Sequence, residues 1–131
     1  VIGLDTNVLV RYLAQDDPEQ SARATALIEQ RLTVTEPGYI GIVAMVETVW
    51  VLSRAYRMGG VEIAAIVERL LQADALVVEA AQEVFLAMLT LRGGRGGFAD
   101  ALIALLGTRA GCAHTVTFDR NALRVPGFAA L

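Results

Sequence analysis

The chain has 131 residues, 55% of them hydrophobic and 19% charged, with a formal net charge of -3 and a mean hydropathy of +0.52. That length matches a single domain over residues 1–131 and can bury roughly 65 to 70% of the unfolded chain's surface, so a core needs neither disulfide nor structural metal, and wholesale disorder is excluded. The longest run without Asp, Glu, Lys or Arg is the ten residues Pro37 to Val46, against about 20 for a membrane span, so a soluble chain with no membrane contact is expected.

Val1 to Leu4 reads as a short apolar strand ending at Asp5, and Asn7 to Leu13 as a short helix that Thr6 can cap. Asp17-Pro18 opens a second helix, with proline in its first turn and Glu19 favoured by the dipole, running to about Leu32. Thr33 to Thr35 reads as a second strand. Glu36-Pro37-Gly38 then breaks the chain before a long helix, Ile40 to Tyr56, closed by Gly59-Gly60. Val61 to Gln72 reads as helix, Ala75 to Glu79 as a third strand and Ala81 to Leu91 as helix. The stretch Gly93 to Gly97 is too glycine-rich for a regular element. Phe98 to Arg109 is helical and stops near Gly111, and His114 to Phe118 reads as the last strand. Strands alternating with helices predict an α/β fold with a mostly parallel sheet.

A single cysteine, Cys112, forms no internal bridge, and no basic leader precedes the opening apolar run, so a cytoplasmic location is expected. All eleven basic residues are arginine, which excludes P-loop nucleotide hydrolysis and Schiff-base chemistry, since both need a lysine. The one histidine, His114, excludes a histidine-pair ribonuclease.

In a parallel sheet, ligands bind outside the carboxyl ends of the strands, where Asp5 and Asp119 fall. Taken singly, each is better read as a turn or a helix cap. Glu47 is the only charge in Ile40 to Leu52, and a lone carboxylate buried in an apolar helix is costly unless paired or bound to a metal; the plainer reading is the wet edge of a core helix, paired with Arg54 or Arg57. Asp100 precedes the apolar run ALIALLG, although the helix dipole alone would favour an acid there. Four converging carboxylates would repel one another strongly without a cation, and oxygen donors favour Mg²⁺ or Mn²⁺. Setting the four acids aside turns the net charge slightly positive, a balance compatible with a phosphodiester backbone.

Asp5-Thr6-Asn7 in VIGLDTNVLVRYL, Glu47 in VETVWVLS, Asp100 in FADALIALL and Thr117-Phe118-Asp119 in TVTFDRN together resemble the PIN-domain family, closest to the VapC toxins of type II toxin–antitoxin pairs. The resemblance covers nearly the whole chain. It implies a PIN-like three-layer α/β/α sandwich, with about five parallel strands in the order 3-2-1-4-5, and a Mg²⁺- or Mn²⁺-dependent ribonuclease. On this resemblance Asp5 and Asp100 are the principal metal ligands, Asp119 completes the shell, and Glu47 holds a water or a second ion. Asn7 and Thr117 would orient the carboxylates, or else cap a helix and fill a strand. Many relatives carry a further acid two positions after Asp119, where this chain has Asn121. RNA phosphates would be gripped by Arg95 and Arg92, then Arg11 and Arg120, each of which is otherwise a solvated surface charge. The implied partners are an RNA substrate, a cognate antitoxin lying in an apolar groove, and a second copy in a homodimer.

An aspartate-nucleophile phosphatase needs an acid at Asn7 and a lysine, and a response-regulator receiver needs a lysine on its last strand, so both are excluded. The rival from another class is a catalytically inactive PIN-like module that binds RNA or protein.

Overall fold

Parallel strands cannot be joined by a tight turn, so each strand in this chain hands over to a helix before its neighbour is reached. The computed structural model describes residues 1–131, and the backbone groups into two units: Val1–Met58 with Arg69–Ala81, and Gly59–Glu68 with Gln82–Leu131.

The first unit contains β1 (Ile2–Gly3), α1 (Thr6–Ala14), α2 (Pro18–Thr25), β2 (Gly38–Ile40), α3 (Ile42–Arg54) and, after the helix α4 (Gly60–Gln72) that begins in the second unit, β3 (Leu76–Val78). The strands form a parallel sheet in the order β1-β2-β3, with Ile2 opposite Gly38 and Gly38 opposite Leu76. Leu4, Leu9, Ile40, Met45 and Leu52 are buried. Asp5 caps α1, its Oδ1 accepting from the Thr6 N–H at 2.8 Å, and Asp17 caps α2 by accepting from the Gln20 N–H at 3.0 Å. Gln15, with φ 54°, closes α1. The buried Ser21 donates to the Arg11 carbonyl at 2.8 Å, so α2 docks on α1 without an orphaned hydroxyl.

The second unit contains the first part of α4, then α5 (Ala81–Arg92), α6 (Phe98–Arg109), β4 (Thr115–Thr117), a 3-10 turn at Ala122–Arg124 and β5 (Phe128–Ala130). β4 and β5 pair in parallel, Thr115 opposite Phe128 and Thr117 opposite Ala130. Val84, Met88, Phe98, Leu102 and Val125 are buried. In the glycine stretch, a methyl group on Gly96 would fall on Val125 Cγ2, so this position tolerates only glycine while Val125 stays where it is.

The α/β class and five parallel strands agree with expectation, but the strands form two sheets rather than one. Neighbours within each sheet follow the implied order, 3-2-1 and 4-5, while β1 pairs only with β2 and β4 only with β5. The second strand is Gly38–Ile40, not Thr33 to Thr35: the Thr33 and Thr35 hydroxyls bond each other at 3.2 Å, and Thr33 Oγ1 accepts from the Glu36 N–H at 3.1 Å, which folds that segment into a bend. Consequently the long helix begins at Ile42, not Ile40. The helix after Pro18 ends as a π-helical segment, Ala26–Arg31, whose last bond runs from the Leu32 N–H to the Leu27 carbonyl. His114 to Phe118 is not the last strand, because β5 follows it. Thr6 is the first residue of α1 and Asp5 is its cap. No helix is long and apolar enough to cross a membrane.

Tyr56, just beyond α3, donates to Asp16 Oδ2 at 2.6 Å and ties the turn after α1 to the end of α3. That bond, ahead of the effect of Arg11, holds the Asp16 carboxyl below its ordinary 3.8. A depressed carboxyl contributes stability that is fully present above the unfolded value and is lost as pH falls through the folded one. Tyr56→Phe is therefore expected to move Asp16 back toward 3.8 in an NMR titration. The stability gap between wild type and variant should narrow as pH falls below that value.

Candidate functional site

The first unit brings two of the four candidate acids into one hydrogen-bonded chain. Asp5 follows β1 and spends Oδ1 on the Thr6 N–H; the Thr6 hydroxyl donates to Glu47 Oε1 at 2.9 Å. Thr6 thus fixes the orientation of Glu47 relative to Asp5 across 41 residues of sequence. Glu47 is exposed, contrary to the expectation of a carboxylate sunk in a core helix. Its helix buries Met45, Thr48, Val49 and Leu52, and on the opposite face leaves Val43 74% and Trp50 60% exposed. The apolar surroundings of Glu47 in sequence are therefore partly surface. Neither Arg54 nor Arg57 pairs with it; the three ion pairs are Arg11–Asp16, Arg92–Glu68 and Arg109–Glu83.

Glu79 positions α3. Gly41 has no side chain to cap that helix, and Glu79 Oε1 accepts from the Ile42 N–H at 2.8 Å in its place. The Glu79 N–H donates to the Ile40 carbonyl at 2.9 Å, which holds the residue at the end of β3 beside β2. Burial, then the charge and hydrogen bonding of Glu79, push the neighbouring Tyr39 phenol above its ordinary value. Sequence reasoning missed Glu79, although an acid directly after a strand is the same signal that selected Asp5.

In the second unit Asp100 is half-buried in the first turn of α6, and Asp119 is exposed beyond β4. The Asp119 N–H donates to Thr117 Oγ1 at 3.0 Å, and Asp119 Oδ1 accepts from the Asn121 N–H at 2.8 Å. Thr117 thus holds the backbone of Asp119, and Asn121, where a further acid was looked for, closes the turn through its own backbone.

The candidate arginines lie in two clefts and one exposed position. Arg92 and Arg95 line a cleft of about 520 Å³ in the second unit together with Leu86, Leu105 and Val125, and Arg92 also pairs with Glu68 at 3.6 Å. Arg11 and Asn7 line a cleft of about 410 Å³ in the first unit, where Arg23 and Arg31 join them. Those two were not selected from sequence; the available signal was the four-residue spacing of Arg23, Leu27 and Arg31, which puts them on one helix face. Arg120 is exposed beside Asp119.

Asp5, Glu47 and Asp119 each commit one carboxylate oxygen to a hydrogen bond and keep the other, and carboxylate donors of this kind suit Mg²⁺ or Mn²⁺. No group of three or more His, Cys, Asp or Glu side chains is arranged to hold a metal ion. The PIN-domain family pattern matches residues 2–128. No curated protein and no solved structure matches the chain.

Glu79→Ala is expected to cost about 1 kcal/mol in urea unfolding, by leaving the Ile42 N–H and the N-terminus of α3 without a partner. Glu79→Gln keeps a carbonyl acceptor and should lose less.

Proposed function

The chain belongs to the PIN-domain family, whose members are generally nucleases, and from that premise we propose that it is a metal-dependent ribonuclease acting as the toxin of a toxin–antitoxin pair. The observation that carries this reading is the family match over residues 2–128, a span that contains all four acids in order. Asp5 and Asp100 would be the principal residues holding Mg²⁺ or Mn²⁺, with Asp119 and Glu47 as the further carboxylates of the set. When bound, the ion lowers the pKa of a water and offsets the charge that builds on the phosphate.

The chain's own residues orient and bind. Thr6, by donating to Glu47 Oε1, leaves Oε2 to accept from a water. Thr117 holds the backbone of Asp119, and Asn7, two residues after Asp5, would help to orient the carboxylates. Arg95, Arg92, Arg11 and Arg120 grip phosphates through paired N–H groups. A cognate antitoxin and a second copy of the chain are the protein partners. In support, Val43 and Trp50 in the first unit and Phe118 in the second expose large apolar surface, the kind that marks protein interfaces.

Thermal unfolding in chelated buffer at low salt, with and without Mn²⁺, tests the carboxylates without choosing an RNA. If they share a cation, metal-free Asp5→Asn and Asp100→Asn should be more stable than the metal-free wild type. Mn²⁺ at 100 times its dissociation constant should stabilise the wild type by about 2.7 kcal/mol and the variants much less. Asp100→Asn should also abolish RNA cleavage. Equal stabilities with no metal effect would overturn the reading in favour of a PIN-like module that binds RNA or protein without turnover.

A further inference from the structure

The cleft between α1 and α2 carries more unspent positive charge than the proposed reaction uses. Arg11, Arg23 and Arg31 line it with the amides of Asn7 and Gln20, and no acidic residue is part of its wall. Arg11 is already engaged: its Nε donates to Gln20 Oε1 at 2.8 Å and its Nη1 to Asp16 Oδ1 at 3.2 Å. The bond to Gln20 Oε1 leaves that residue's NH₂ group as a donor. Arg23 and Arg31 are exposed and take part in none of the ion pairs. Arg23 on α2 and Arg31 at the end of the π-helical segment that continues it give the wall two separate cationic grips, which suits a strand carrying repeated phosphates better than one small anion.

We infer that this cleft is a track for the phosphodiester backbone of a single-stranded nucleic acid, with Arg23 and Arg31 as its principal grips and Arg11 as a fixed third. The choice of a nucleic acid as the polyanion and its delivery to the acids rest on the nuclease reading above; the cationic lining of the cleft does not. The cleft wall includes Asn7 and Val8, in the turn of α1 that Asp5 caps, so a strand lying in it runs up to the Asp5–Thr6–Glu47 chain. Guanidinium forks match phosphate oxygens in pairs. An acidic peptide would meet the same cations, but membership of a nuclease family favours a nucleic acid as the polyanion.

The test is fluorescence anisotropy of a short labelled single-stranded RNA, in EDTA so that nothing is cut, across a range of salt concentrations. Arg23→Gln/Arg31→Gln is expected to weaken binding about tenfold or more at low salt. It should also flatten the dependence of log affinity on log salt by about 1.4, two contacts at about 0.7 each for a single strand. Arg54→Gln/Arg57→Gln removes the same charge outside the cleft and should leave the slope unchanged. Both pairs of side chains are exposed, so melting temperatures should stay at the wild-type value. A DNA strand of the same sequence that binds equally well shows that the phosphates alone are read; preference for RNA, with the same arginine dependence, shows that the 2′-hydroxyls are read as well.

Equal salt slopes for the two double variants would overturn the track, as would failure of the wild type to bind either strand. Binding of polyglutamate that depends on Arg23 and Arg31, with none for RNA or DNA, would overturn it in favour of a protein partner. Arginine-dependent binding by a wild type that never cuts RNA in Mn²⁺ would uphold the track and end the nuclease reading.

Discussion

The pairing of β2 with strands on both sides is the constraint on which the first unit depends. β2 is three residues long, bonded to β1 and β3, and its first residue is Gly38. A Cβ there would stand 2.7 Å from Leu32 Cδ1, 3.0 Å from Leu4 Cδ1 and 3.1 Å from Leu76 Cδ2, so three core leucines close over a backbone that has no side chain to spare. Because the strands are parallel, their carboxyl ends share one edge of the sheet, and Asp5 and Glu79 both arrive there. The two acids have different work. Glu79 reaches the start of α3 and caps it, while Asp5 caps the helix that follows it and keeps Oδ2. The helix that Glu79 caps is the one that carries Glu47 to the Thr6 hydroxyl.

Helices were legible where the chain punctuates them. α6 runs from Phe98 to Arg109 as read, because glycine precedes it and Gly111, with φ 94°, follows its last turn. α1 and α5 differ from expectation by a single residue at their ends. Strands of two or three residues carry too little pattern to be read this way. Thr33 to Thr35 has the β-branched composition of a strand, yet its hydroxyls bond locally; Gly38–Ile40 opens with a residue that looks like a breaker and is the central strand. β5, Phe128–Ala130, ends in two alanines and gives no β-branched signal at all.

The same limit applies to the candidate site. Glu47 stood out as the one charge in an apolar segment, and its hydrogen bond to Thr6 gives it a defined place. The inference that it is buried fails because composition cannot tell a helix sunk in the core from one that leaves a valine and a tryptophan in solvent. Arg23 and Arg31 were passed over for a related reason. They belong to no motif and lie far in sequence from Asp5, and only the docking of α2 on α1, through Ser21 and the Arg11 carbonyl, places them on the same cleft as Asn7.

In a chain whose eleven Lys and Arg positions are all arginine, those cations stay charged across the working pH range. Arg11 shows what the planar fork adds. Tyr56 donates to one oxygen of Asp16, the other oxygen receives Arg11 Nη1, and Arg11 Nε rests on Gln20. A lysine's three donors sit on one freely rotating nitrogen, without the planar fork that spans Asp16 and Gln20 here. The chain of contacts costs Arg11 part of its charge, which Asp16 offsets, but it fixes the guanidinium on the cleft wall before any ligand arrives. The ordering entropy that a flexible cation would lose on binding is then already spent in folding. Arg23 and Arg31 are the reverse case: they are exposed and take part in no ion pair. Long-range attraction in this cleft comes from that pair, and orientation from the tethered arginine opposite them.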